Sequence, residues 1–162
     1  TAGTCRYKEN FDLAQLRPAR PDTGFERTEM TEKIRVMLAD DVADIREMLQ
    51  IHIERDPRFT VVAHAGDGRT AVNLADEHKP DLVILDISMP KLNGLQAIPE
   101  IRKVNPECRI LIFSGFEAQR IAAKAIALCA DAYIEKGHSL KGLTETLAMI
   151  HASPAKACAF AV

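Results

Sequence analysis

The sequence predicts an α/β fold: a doubly wound, five-stranded parallel sheet with helices on both faces. Three observations predict it. Five short apolar runs recur from Ile34 onward. Amphipathic stretches with helical spacing separate them. Pro and Gly punctuation, as at Asp56-Pro57 and Lys79-Pro80, divides one element from the next. Strands and helices that alternate in this way form βαβ units, whose right-handed crossovers lay the strands parallel.

Each element has its own signal. Ile34 to Ala39 is a buried strand, and Ala43 to Arg55 a helix with Ile45, Met48, Leu49 and His52 or Ile53 on one face. Phe59 to His64 is the second strand, and Arg69 to His78 the second helix, stopped before Pro80. Asp81 to Leu85, in the run DLVILD, is the third strand. Gly94 to Val104 is the third helix, disturbed by Pro99. Arg109 to Phe113, the alanine-rich helix Glu117 to Leu128, the strand Ala132 to Glu135 and the helix Leu140 to His151 complete the series.

The organisation is one domain with two tails. Residues 1–32 hold Pro18, Pro21, Gly24 and scattered apolar side chains, so they read as an extension with little core. Within them Asn10 is a weak cap signal for a turn through Leu16, and Met30 is a candidate natural start. Residues 33–152 form the domain, and 153–162 a frayed tail.

The 162 residues are 47% hydrophobic, enough for one core. The 21 basic and 23 acidic residues give a formal charge of −2, which argues against a broad nucleic-acid surface. Four cysteines, Cys5, Cys108, Cys129 and Cys158, make no C-x-x-C pair and suggest no zinc site. Cys108 and Cys129 read as small packed hydrophobes. No apolar run approaches a bilayer-spanning length, and no secretory signal is evident, so a reduced, cytoplasmic setting without membrane contact is the expectation.

In open α/β sheets, chemistry gathers at the carboxyl ends of the strands. Strand one runs into Asp40-Asp41, strand three into Asp86 and strand four into Ser114-Gly115, while Lys136 follows strand five. Three carboxylates in one small cleft repel each other, and a cation relieves them. Oxygen donors with room for water suit Mg²⁺, here from Asp40, Asp41, Asp86 and the backbone carbonyl near Ser88. Asp86 is the candidate nucleophile toward phosphorus. Lys136 and the Ser114 hydroxyl can each meet a phosphate oxygen. Pro90 stiffens the loop ISMPKLNG after Asp86, and Asn93-Gly94 turns it into the next helix.

These residues resemble the receiver domain of bacterial two-component response regulators. The resemblance covers roughly Lys33 to Ala152. It rests on LADD (Leu38 to Asp41), Arg46, DLVILDISMPKLNG (Asp81 to Gly94), FSG (Phe113 to Gly115) and AYIEK (Ala132 to Lys136), in that order. It implies a flavodoxin-like strand order 2-1-3-4-5. It also implies a phosphoaspartate at Asp86, Mg²⁺ on Asp41 and Asp86 with Asp40 assisting, and a phosphate contact from Lys136. Ser114 and Tyr133 become the switch residues, moving the surface of the fourth helix, fifth strand and fifth helix. The implied partners are a histidine kinase or phosphotransfer protein, with a homodimer as the implied assembly. DNA would be met only through an output domain; none is expected in this sequence, which reads as a stand-alone receiver or a fragment of a longer regulator. The spacing DDxxxxR is more similar to receivers joined to LuxR-type output domains. Two positions depart from the family pattern: Ser114 replaces the commoner threonine, and Gly137 stands where proline is frequent, which removes the reason for a cis peptide there.

Each residue also has a plainer reading. Asp40 and Asp41 are good helix caps. Asp86 suits a turn, Ser114 can bond its own backbone, Lys136 can be merely solvated and Tyr133 can be an ordinary edge aromatic. The five histidines are scattered, and Gly66-Asp67-Gly68 reads as a turn rather than a dinucleotide loop. A signalling phosphoacceptor, not an enzyme acting on other substrates, is the favoured function. The alternative is a phosphate-independent receiver-fold interaction module. A phosphohydrolase ranks third, because Ser88 stands where that class needs a second acid.

Overall fold

A computed structural model describes residues 32–116, 118–137 and 140–154. The expected extension before residue 32, Cys5, Cys158, Glu117, His138 and most of the expected tail lie outside them. The described elements are β1 (Ile34–Ala39), α1 (Ala43–Glu54), β2 (Phe59–Ala65), α2 (Gly68–His78), β3 (Leu82–Leu85), α3 (Gly94–Val104), β4 (Arg109–Ser114), α4 (Ala118–Ala127), β5 (Ala132–Glu135) and α5 (Leu143–Ala152). The five strands are parallel and ordered β2-β1-β3-β4-β5, the expected doubly wound, flavodoxin-like order.

Strand alternation builds two apolar layers. Met37 and Ala39, Val83 and Leu85, and Ile110 and Ile112 face one side, where Ala71, Val72 and Ala75 of α2 and Ala97, Ile98 and Ile101 of α3 meet them. Their neighbours Val36 and Leu38, Leu82 and Ile84, and Leu111 and Phe113 face the other side, against Leu49 and Ile53 of α1 and Leu143, Leu147 and Ile150 of α5. With both faces covered, the central strands tolerate no polar alternation, which is why they read as continuous apolar runs. Each fully buried Leu or Ile contributes about 1.5–3 kcal/mol of transfer free energy.

Several element ends differ from the sequence reading by one to three residues, and three of them have a clear local reason. Helix α5 starts at Leu143 rather than Leu140, because Gly142 precedes it at φ 80, outside helical space. Helix α2 begins one residue early, at Gly68, because Asp67 caps it by accepting from the Thr70 amide at 2.8 Å. Strand β4 extends to Ser114 through its pairing with Glu135. Helix α3 runs unbroken through Pro99, held at its start by a reciprocal Asn93–Gln96 capping box.

Both cysteine readings can be compared with the structure. Cys108 is a buried free thiol whose pKa burial pushes up to about 12. Cys129 departs from the packed-hydrophobe reading: it is half-buried, adopts φ 75 and is disulfide-bonded. Burial, with help from Arg46, holds the His64 imidazole below its ordinary value.

Two glycines set how closely the layers approach the sheet end. A Cβ on Gly94 would sit 2.1 Å from the Asp86 carbonyl oxygen, and one on Gly68 would sit 1.9 Å from the Leu92 carbonyl oxygen. Gly94→Ala is therefore expected to destabilise the fold by about 3 kcal/mol or more, because backbone must move to admit the methyl. Gly115→Ala, with nothing within 4 Å of the added carbon, is the matched control. Urea unfolding of the two variants checks this; equal midpoints would contradict it.

Candidate functional site

The strand order places the site. Strands β1 and β3 are neighbours, with Ala39 opposite Leu85, so the residues that follow them, Asp40 and Asp86, emerge side by side. The chain then leaves β1 toward α1 on one face and β3 toward α3 on the other, which opens a crevice at the topological switch point. Strand β4 ends beside it in Ser114, and Lys136 leaves the end of β5, its amide bonded to the Ser114 carbonyl at 2.7 Å.

Asp40 and Asp86 are buried, each 2% exposed, while Asp41 and Ser88 are exposed. One oxygen from each of Asp40, Asp41 and Asp86 lies within 4.8 Å of the others. Lys136 Nζ donates to Asp40 Oδ2 at 2.5 Å and lies 3.1 Å from Asp86 Oδ1. The second contact is an ion pair without hydrogen-bond alignment, so Asp86 Oδ1 is buried and carries no aligned donor. Asp86 Oδ2 accepts from the Ser88 amide at 2.9 Å, and Asp40 Oδ1 from the Val42 amide at 2.9 Å. Burial works against the charge of Lys136, but the hydrogen bond to Asp40 and the charge of Asp86 outweigh it. The ammonium is held above its ordinary value of 10.5.

The plainer readings fare unequally. Helix α1 is capped by Val42 without a side-chain bond, so Asp40 and Asp41 do not serve as its caps. Asp86 does close a small turn onto Ser88, as a turn residue would. Lys136 is engaged by two carboxylates rather than solvated. The Ser114 hydroxyl is buried and bonds neither its own backbone nor any other partner. Asp67 caps α2, so Gly66-Asp67-Gly68 is a turn into a helix.

Tyr133 is half-buried against the α2–α3 layer, with its hydroxyl donating to the Phe116 carbonyl at 2.7 Å. Burial raises its phenol above the ordinary value of 10.0; the nearby Ser114 hydroxyl opposes this, while Glu135 and Asp86 add to it. Lys136 and Gly137 are joined without a cis peptide, none being present among the described residues, and Gly137 takes φ 97.

Sequence reasoning missed several supports. Arg46, quoted only as part of a motif, donates to the Asp40 carbonyl and so holds the turn that presents Asp40. Lys91 reaches Asp67 at 2.8 Å across the end of the sheet. Arg102 of α3 forms a buried pair with Asp131 at 2.5 Å and donates to the carbonyls of Cys108 and Cys129. These partners lie far apart in sequence, so no spacing pattern announces them.

Comparison with known proteins agrees with this geometry. Residues 36–148 match the family described as the response regulator receiver domain. The chain is 33% identical over 113 residues to the transcriptional regulatory protein YdfI of Bacillus subtilis, covering 70% of this chain and 53% of that protein. It is 37% identical over 113 residues to the chemotaxis protein CheY of Thermotoga maritima, covering 70% of this chain and 93% of that one. It thus spans about half of YdfI but nearly all of CheY. Among solved structures, a LuxR-family response regulator from Aurantimonas sp. SI85-9A1 superposes with a TM-score of 0.72 at 33% identity, covering 78% of this chain and 91% of that chain. Such domains bind Mg²⁺ at an acidic pocket, and the three clustered carboxylates are a donor set of that kind. They are typically phosphoacceptors in signalling and interact with histidine kinases or phosphotransfer proteins. No described helix is long and apolar enough to cross a membrane.

A spectroscopic consequence follows for Tyr133. In an alkaline absorbance titration of the two tyrosines, Tyr133→Phe is expected to delete a component that titrates above pH 10.0. The unfolded chain ionises this phenol first, so its contribution to stability is intact below pH 10.0 and declines above it. A late component that persists in the variant would contradict the assignment. The chain belongs to the response regulator receiver domain family.

Proposed function

We propose that this domain is a phosphorylation-dependent signalling switch that accepts a phosphoryl group on Asp86 from a histidine kinase or a small phosphodonor. The observation that carries this reading is the shared placement of Asp86 and Lys136. The ammonium sits against two buried carboxylates, and Asp86 Oδ1 has no aligned donor of its own.

The roles follow from the contacts. The Ser88 amide engages Asp86 Oδ2, so Oδ1, which has the Lys136 ion pair but no hydrogen bond, is the oxygen we assign to the attack. Attack forms an O–P bond as the donor's P–N or P–O bond breaks, and the donor fragment departs with that electron pair. Lys136 already lies 3.1 Å from Oδ1, close enough to pair with an arriving phosphoryl oxygen. The unpartnered Ser114 hydroxyl is a second donor for that group. Asp40, Asp41 and Asp86, with the carbonyl near Ser88, are the residues that would hold Mg²⁺. When bound, the ion supplies charge neutralisation at the phosphoryl oxygens.

The readout begins at Ser114. If its hydroxyl moves to the phosphoryl group, the space beside Tyr133 changes, and the phenol–Phe116 bond is the contact to be exchanged. That change would reach the surface of α4, β5 and α5, where Phe116 and Ile126 are exposed.

Incubation with acetyl phosphate and Mg²⁺ is expected to add one phosphoryl mass to the wild type, none to Asp86→Ala, and none when EDTA is present. An unmodified wild type with an intact fold, whatever the phosphodonor, would favour a phosphate-independent interaction module. Mg²⁺ alone is expected to raise the melting temperature of the wild type and not that of Asp40→Asn/Asp86→Asn. Lys136→Ala is expected to keep the fold while uncoupling phosphorylation from the Tyr133 response. Identical spectral changes in variant and wild type would count against that role.

A further inference from the structure

We propose that the Asp67–Lys91 ion pair is a latch that positions the loop between β3 and α3 for phosphoryl acceptance by Asp86, with Lys91 as a positioning residue. This rests on the phosphoacceptor reading of Asp86 and deepens it. Lys91 takes φ 63, a left-handed conformation that a lysine adopts only where its surroundings hold it. The Leu92 amide bonds the Pro90 carbonyl at 2.7 Å across Lys91, a γ-turn of the uncommon positive-φ kind.

Two contacts hold this turn against α2, whose parent strand β2 lies beyond β1 from the loop. Lys91 Nζ meets Asp67 Oδ2 at 2.8 Å, and the Leu92 carbonyl occupies the space that any side chain on Gly68 would fill. The pair draws the Asp67 carboxyl down to about 2, chiefly through the Lys91 hydrogen bond, so the anion persists at every working pH. At its other end the loop is closed by the Gly94 amide on the Ile87 carbonyl at 3.0 Å. Between these anchors lies Ser88, whose amide orients Asp86 Oδ2. Releasing Lys91 frees the segment that aims the nucleophile without touching the nucleophile itself.

The test is the rate of acetyl phosphate labelling, read by intact mass over a Mg²⁺ series, with melting temperature alongside. Asp67→Asn keeps an oxygen for the Thr70 amide while removing the charge and the second oxygen, which also accepts from the Thr70 hydroxyl. Lys91→Gly keeps the positive φ without steric cost and removes the side chain with its amine. Each is expected to slow labelling about two- to fivefold, the scale of an ion pair whose lysine is exposed while its carboxylate is buried. The double variant should be no slower than either single one, and Lys91→Arg should restore the wild-type rate. A Lys91→Gly rate equal to wild type would overturn the latch, as would additive losses in the double variant. A wild type that takes no phosphoryl group would instead bring down the phosphoacceptor reading, and the latch with it.

Discussion

Everything at the carboxyl end of the sheet is arranged around one electrostatic problem: two buried carboxylates, Asp40 and Asp86, beside a third that is exposed. Like charges this close oppose each other's ionisation, and the repulsion deepens as water is excluded. The resident answer is Lys136, which reaches both buried groups from the far side of β4. Its Nζ also lies over the Phe113 ring, 5.9 Å from the ring centre. The sheet order makes this possible, because only a β1-β3-β4-β5 sequence of neighbours brings these strand ends into one line.

Backbone proximity is the second constraint. The cluster needs its loops drawn tightly together, and the cost falls on positions without side chains. Gly94 brings α3 against the carbonyl of Asp86, and Gly68 admits the carbonyl of Leu92. Arg46 fastens the turn after β1, and the Arg102–Asp131 pair ties α3 to the chain that leads into β5. A buried ion pair of this kind adds little net stability, yet losing one partner is costly, because the other is left charged and alone.

The strands and the site were legible in the sequence because both follow short-range rules. Apolar runs such as LVIL are what a strand covered on both faces requires, and the polar residue after each run is where the chain leaves the core. Asp40, Asp86, Ser114 and Lys136 were visible on that ground, and the structure brings them together. Helix ends were less legible: Gly142 delays the start of α5 through its φ, and Asp67 starts α2 one residue early through a cap that resembled an unremarkable turn. Least visible were the long-range pairs. Nothing near Lys91 in sequence points to Asp67, and nothing near Arg102 points to Asp131, because their meeting depends on which strands become neighbours. The Cys129 disulfide was likewise beyond a reading based on spacing.

The distribution of unpaired polar atoms bears on how the site works. Among the described residues, three buried side-chain atoms lack hydrogen-bond partners: Asp86 Oδ1, Ser114 Oγ and Arg109 Nη1. A buried polar atom left unpaired costs about 1–3 kcal/mol. Two of the three converge on the crevice from adjacent strands, one an acceptor and the other able to donate. In the resting chain neither satisfies the other. On the proposed phosphoacceptor reading, a tetrahedral oxyanion bonded to the first would present acceptors to the second. Arg109, at the opposite end of β4, differs: its other nitrogen already grips the Ser153 carbonyl where α5 ends. Two of the three unbonded atoms thus belong to the ends of β3 and β4, and the same strand that carries Ser114 also fastens the end of α5 through Arg109.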